Sequence, residues 1–179
     1  MQFKLAALAA VVSVVSYAQA ERTSGDVVKD LKEMTDIAQD NHLMVSSINS
    51  HTVMEKAPEM VHHYYMEIEL LNKELKNMHQ SGPDEAGDVQ EQAELCEAWR
   101  EFTVVNGHLL EKTIEKRQEL RMAEYQRKIA GIVHALYEGF YVLARDTITL
   151  VPTCADNARS DYQKLDLSLR RAMGVFYYR

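Results

Sequence analysis

Strand and turn signals are scarce in this chain. It holds only 7 Gly and 3 Pro in 179 residues, too few to punctuate the many short strands of a sandwich or barrel. No apolar run approaches the roughly 20 residues that a membrane span needs. No Asn begins an N-x-Ser/Thr sequon, so N-glycans are not expected. The G-x-S-x-G and H-E-x-x-H motifs and the glycine-rich phosphate loop are all missing. Cysteine is limited to Cys96 and Cys154, with no His partner at the spacing of a zinc site. There are 20 Lys and Arg against 27 Asp and Glu, a formal charge of −7. That balance opposes nucleic-acid binding, which needs a basic face to attract phosphate. These absences give no reason to expect an enzyme, a metal or a cofactor.

The histidines do not reverse this. His42, His51, His62, His63, His79, His108 and His134 include no pair at i, i+4 with an acid beside it. His62 and His63 point to different faces of any helix. The acids alternate with cations, as in Glu111-Lys112 and Glu115-Lys116-Arg117, which is the pattern of a solvated, ion-paired helix face.

The first residues have a grammar of their own. Lys4 precedes an apolar run from Leu5 to Val15, and Ala18-Gln19-Ala20 follows. A positive start, a short apolar centre and a small-residue exit predict a secretory signal peptide over 1–20. Cleavage after Ala20 would leave a single domain over 21–179. One of the 20 cations goes with the leader and all 27 acids stay, so the charge becomes −8. The expected location is extracellular, with no membrane span in the mature chain.

Helical periodicity fills the rest. Five helices are expected, over about Asp26–Ser50, Pro58–Gln80, Asp84 or Asp88 to Gln118, Tyr125–Leu150 and Cys154–Tyr177. Their inward stripes run at steps of three and four. On the second helix the stripe is Val61, Tyr64, Ile68, Leu71, Leu75 and Met78. On the third it is Cys96, Trp99, Phe102, Asn106, Leu109 and Thr113. On the last it is Ala158, Tyr162, Leu165, Leu169, Ala172 and Phe176. Asp26 suits an N-cap and Pro58 a first helical position. The charged stretch Glu115 to Arg127 is the weakest pattern; a turn is expected near Leu120 to Glu124, with a single continuous helix through it as the alternative. Pro152 forces a corner between the last two helices, with Thr153 placed to cap the next one. The fold class is all-α, an up-down antiparallel bundle of about five helices.

In an oxidising compartment two cysteines favour a disulfide. An up-down bundle brings Cys96, early in the third helix, and Cys154, at the start of the fifth, toward one end. A Cys96–Cys154 bridge is therefore expected. Any opening that admits a ligand is expected at the opposite end, near Leu120 to Glu124.

The segment Phe102-Thr103-Val104-Val105-Asn106-Gly107-His108-Leu109-Leu110, with Ile114-Glu115-Lys116, resembles the third helix of the fungal hydrophobic surface-binding protein A family. That family includes the cell-wall galactomannoproteins. Leu150-Val151-Pro152-Thr153 with Ala155-Asp156-Asn157-Ala158 resembles the corner between the family's last two helices. The resemblance implies a secreted bundle that binds hydrophobic surfaces or lipids, fatty acids included, with a secreted hydrolase as a further partner. It implies cell-wall association in members with a Ser/Thr-rich tail and an anchor signal, which this sequence does not show. The cysteine pair is not part of the family pattern.

Eight methionines beyond Met1 add flexible apolar surface of the kind used at adaptable sites. The expected function is non-catalytic binding of fatty acyl chains or other apolar ligands among the helices. The candidate wall residues are Ile68, Trp99, Phe102, Leu136, Phe140, Leu143 and Leu169. The alternative is a secreted, effector-like interaction module with a packed core, binding a host or enzyme protein.

Overall fold

The computed structural model describes residues 23–81 and 86–177; the leader expected over 1–20 lies outside them. The described residues form helices α1 (Ser24–Ser46), α2 (Val53–Ser81), α3 (Val89–Glu115), α4 (Arg117–Met122), α5 (Gln126–Leu150) and α6 (Ala155–Tyr177), with no strand among them. The fold is an all-α bundle of five long helices and one short one.

Side-chain chemistry sets the ends. Thr23, not Asp26, caps α1. The two form a capping box in which Asp26 N–H donates to Thr23 Oγ1 and Thr23 N–H donates to Asp26 Oδ2. Asp26 is thus the acid at the third helical position of the box, in the first turn, rather than its cap. Asp88 caps α3 in the same way, with Glu91 as its reciprocal partner. α2 begins at Val53 rather than at Pro58. Asn49 closes the preceding turn by accepting from His51 and Thr52, and Pro58 falls on an exposed side where its missing bond to the Met54 carbonyl is tolerated.

The third helix is shorter than its periodicity predicts. It stops at Glu115, and the Lys116 ammonium donates to the Ile48 carbonyl at 2.6 Å. α4 then ends in a reversal where Tyr125 N–H reaches Leu120 O and Glu124 N–H reaches Arg121 O. This is a Schellman motif, with Glu124 at φ 63° in the place glycine usually takes. The turn expected near Leu120 to Glu124 is there. At the Pro152 corner, the Thr153 hydroxyl and N–H both donate to Gln92 Oε1 on α3. Thr153 therefore ties the corner to α3, and α6 starts at Ala155.

The five long helices pack as a closed ring in the order α1, α2, α5, α6, α3 and back to α1. Chain order and ring order differ: α3 follows α2 in sequence but packs between α6 and α1. Successive long helices run up and down, so α1, α3 and α6 point one way and α2 and α5 the other. Gly87 beside Ser24 and Lys116 beside Ile48 show α1 and α3 aligned in parallel. Gln126 beside Phe176 shows α5 and α6 opposed.

Cys96 and Cys154 are joined by a disulfide, with Cα atoms 6.5 Å apart across a separation of 58 residues. Constraining a loop of that length removes denatured-state entropy equivalent to about 4 kcal/mol. The bridge, the Gln92–Thr153 bonds and the Trp99 Nε1–H to Ala158 O bond of 3.0 Å all join the early turns of α3 and α6. That end of the ring is pinned, whereas the α4 end is closed by a short helix whose only buried residue is Leu120. Amide hydrogen exchange is therefore expected to be faster across residues 120–124 than across 150–156. Slower exchange at 120–124 would contradict this division.

Candidate functional site

Side chains meet across the ring at two levels. Near the disulfide, the Trp99 and Phe102 rings stack at 5.6 Å, and Phe102 meets Phe140 edge-on at 5.0 Å. Phe102 and Phe140 stand on α3 and α5, which are not neighbours in the ring, so this contact crosses its interior. Toward the α4 end, the Tyr64 hydroxyl on α2 pairs with Thr113 Oγ1 on α3 at 2.7 Å, another contact between non-neighbours. The two levels lie three turns of α3 apart, roughly 16 Å.

Six of the seven expected wall residues face this interior. Trp99, Phe102, Leu136, Phe140, Leu143 and Leu169 are fully buried. Ile68 is half-buried at the margin of the core. The reason is the true seam of α2. It runs Val53, Ala57, Met60, Tyr64, Glu67, Leu71, Glu74, Met78, alternating steps of four and three without a break. The apolar residues Ile68 and Leu75 stand beside that seam, and two glutamates stand on it. An acid on an inward seam goes against ordinary burial preferences, so periodicity in apolar residues alone passes over it. Strict step counting from Tyr64 and Leu71 would have found it.

Glu67 is fully buried, and neither carboxyl oxygen has a hydrogen-bond partner. Asn106 of α3 faces it, while the Asn106 amide donates to Phe102 O at 3.2 Å. Asn41 of α1 is fully buried too, with its amide nitrogen and oxygen both lacking partners. The alignment of α1 with α3 brings Asn41 within about a turn of Asn106's level. Three helices thus contribute polar side chains to one part of an interior that elsewhere holds Glu74, Thr147 and the Tyr64–Thr113 pair among apolar side chains.

Electrostatics follow from burial. Loss of solvent pushes the Glu67 carboxyl up to about 8, and Asn106 offsets part of that rise. Burial likewise pushes the Tyr64 phenol far up; its bond to Thr113 opposes the shift and the Glu67 charge adds to it. Among the described residues no Lys or Arg side chain is buried, and His63 is half-buried with its Nδ1 shielded and without a hydrogen-bond partner. No group of three or more His, Cys, Asp or Glu is placed to hold a metal among them.

Outside the ring, an open groove of about 900 Å³ lies at the α4 end, lined by residues that include Arg121, Arg127, Ala130, Gly131 and Phe176. A smaller one of about 540 Å³ lies over the disulfide, beside Val89 and Arg100. The larger groove sits at the end expected to open.

A buried acid with a raised pKa makes stability depend on pH. The native state keeps the Glu67 proton up to about 8, while the unfolded chain releases it near 4.3. Stability from this group is therefore whole below the unfolded value and falls through that window as pH rises, by up to about 1.4 kcal/mol per unit. Glu67→Gln should remove that slope and be the more stable protein at the alkaline end. Urea midpoints across the window check it; parallel curves for the two proteins would contradict it.

Three solved structures share this fold. Ligand binding domain 1 of Penicillium marneffei MP1 protein, complexed with arachidonic acids, superposes with a TM-score of 0.75 at 14% identity, covering 87% of this chain and 99% of that one. Ligand binding domain 2, in complex with arachidonic acids, gives 0.76 at 13% identity over 89% of this chain and 98% of that one. Domain 2 complexed with multiple arachidonic acids gives 0.69 at 13% identity over 90% and 100%. No protein-family model matches the chain, and no curated protein sequence does. At these identities the likeness establishes the architecture: this chain has the helical fold of the MP1 ligand-binding domains.

Proposed function

We propose that the chain is a secreted, non-catalytic carrier of lipids, holding a long apolar chain inside the helix ring. The observation that carries this reading is the polar cluster of Glu67 and Asn41, fully buried and without hydrogen-bond partners, set among apolar walls. Native interiors pair nearly all their buried polar groups. A few convergent polar atoms in an apolar enclosure is the usual composition of a small-molecule site. The fold supports it, since the MP1 domains of like architecture are complexed with arachidonic acids.

The walls supply the affinity. Leu136, Leu143, Leu169 and the Trp99, Phe102 and Phe140 rings present only carbon surface apart from the Trp99 N–H, which Ala158 already satisfies. Each methylene buried against them contributes about 0.8 kcal/mol, so an acyl chain binds without an ion pair. Ile68 is half-buried at the margin of the core. The leader pattern at Lys4 to Ala20 supports secretion. Adsorption to hydrophobic surfaces fits the same chemistry, with α4 and the adjoining groove as the side that opens.

Trp99 is the only tryptophan in the chain, so it reports on this interior alone. Native mass spectrometry with lipid extraction should find a lipid bound to the purified protein. Delipidated protein should change its Trp99 emission on titration with oleic acid under mildly acidic conditions. If no lipid co-purifies and the emission stays constant, the interior is a packed core, and the protein-interaction reading takes its place.

A further inference from the structure

The interior of the ring carries two acids, Glu67 and Glu74. Among the described residues no Lys or Arg is buried; His63, one turn before Glu67 on α2, is half-buried, with its Nδ1 shielded from solvent and without a hydrogen-bond partner. Asn106 faces Glu67 from α3, and Tyr64, one turn back on α2, is committed to Thr113. Register fixes what the other helices bring to this level. Leu71 lies against Gly139, and Trp99 against Ala158. The buried residues at Glu67's level are therefore Ala38 and Asn41 from α1, Val133 and Leu136 from α5, and Leu165 from α6. None of these titrates. The other acid on the seam, Glu74, lies two turns along α2 and is buried as well.

Such a site discriminates by the charge of a lipid head. A hydroxyl both donates and accepts, so it suits Glu67 with or without its proton and still leaves an acceptor lone pair for the Asn41 amide N–H. A carboxylate only accepts. It can pair with Glu67 only while Glu67 holds a proton, because two carboxylates sharing one desolvated site do not both ionise.

Resting on the lipid-carrier reading above, we propose that Glu67, Asn41 and Asn106 form a head-group site for an uncharged, hydrogen-bonding head, so that the ring takes hydroxyl-headed long-chain lipids in preference to fatty carboxylates. The raised Glu67 pKa makes the preference depend on pH. It is weak where Glu67 is protonated and strong above about 8, where a bound carboxylate would face a second negative charge.

The test compares oleyl alcohol with oleate, one chain with two heads, by Trp99 emission on the full-length protein and on Glu67→Gln. At about pH 9 the wild type should bind the alcohol about tenfold or more tightly than oleate, since like charges at close range in a desolvated site repel strongly. At about pH 6, with Glu67 protonated, the gap should shrink to about threefold or less. Glu67→Gln should show the small gap at both values. Equal affinities in the wild type at the alkaline value overturn the head-group site and leave the carrier reading standing. A gap that survives unchanged in Glu67→Gln also overturns it, because oleate's own hydration would then be its cause. If neither lipid binds at either value, the carrier reading itself fails. Should Glu67→Gln not fold, Asn41→Ala keeps the test: alcohol affinity is expected to fall about fivefold, as for a lost hydrogen bond, and no change overturns the proposal.

Discussion

Five helices in a closed ring enclose more space than their backbones can fill. With axes about 9.5 Å apart, each axis stands about 8 Å from the centre, whereas a helix with its side chains reaches only about 5–6 Å. The difference is a central column that side chains from non-adjacent helices must fill or a ligand must share. Phe102 against Phe140, and Tyr64 against Thr113, meet across that column. Tyr64, Phe102 and Phe140, which supply these contacts, are with Trp99 the largest of the fully buried side chains. Between the two crossings the inward residues are shorter, including Ala38 on α1 and Leu136 on α5. The polar cluster falls there.

Glu67 is shut off from solvent, and Asn106, which faces it, offsets only part of the cost of its burial. Holding an acid in such a place costs stability at neutral and alkaline pH. The disulfide and the Gln92–Thr153 bonds stabilise the opposite end of the ring. The covalent tie of the ring thus sits where α3 and α6 begin, and the short α4 closes the far end. On the proposed carrier reading, one end holds the ring together while the other separates to let a chain pass.

Much of this architecture is legible in the sequence because it rests on local rules. Pro152 forces the corner before α6, and the seam from Ala158 to Phe176 is buried as its spacing implies, with only Tyr162 half-exposed. Cys96 and Cys154 meet because successive long helices alternate in direction. What local rules do not carry is which helix lies beside which. Ring order depends on how five faces fit together, and no single stripe encodes that. The break at Lys116 carries no Gly or Pro signal, and the contact its ammonium makes, with the Ile48 carbonyl, is far away in sequence. On α2 the buried face was read through Ile68 and Leu75 because Glu67 and Glu74 look like solvent residues in isolation. The buried polar residues were therefore the part least visible in composition, while the buried apolar positions from Trp99 to Leu169 were visible from spacing alone.

The central claim is that the column is a lipid site with its polar end at Glu67. A crystal structure of the protein with oleyl alcohol tests it most directly. The account predicts the chain inside the ring, between the Tyr64–Thr113 and Phe102–Phe140 crossings, with the hydroxyl oxygen about 2.5–3.0 Å from a Glu67 carboxyl oxygen. Alcohol found only in the outer groove beside Arg121 and Arg127, with the interior closed around Glu67 and Asn106, would contradict it.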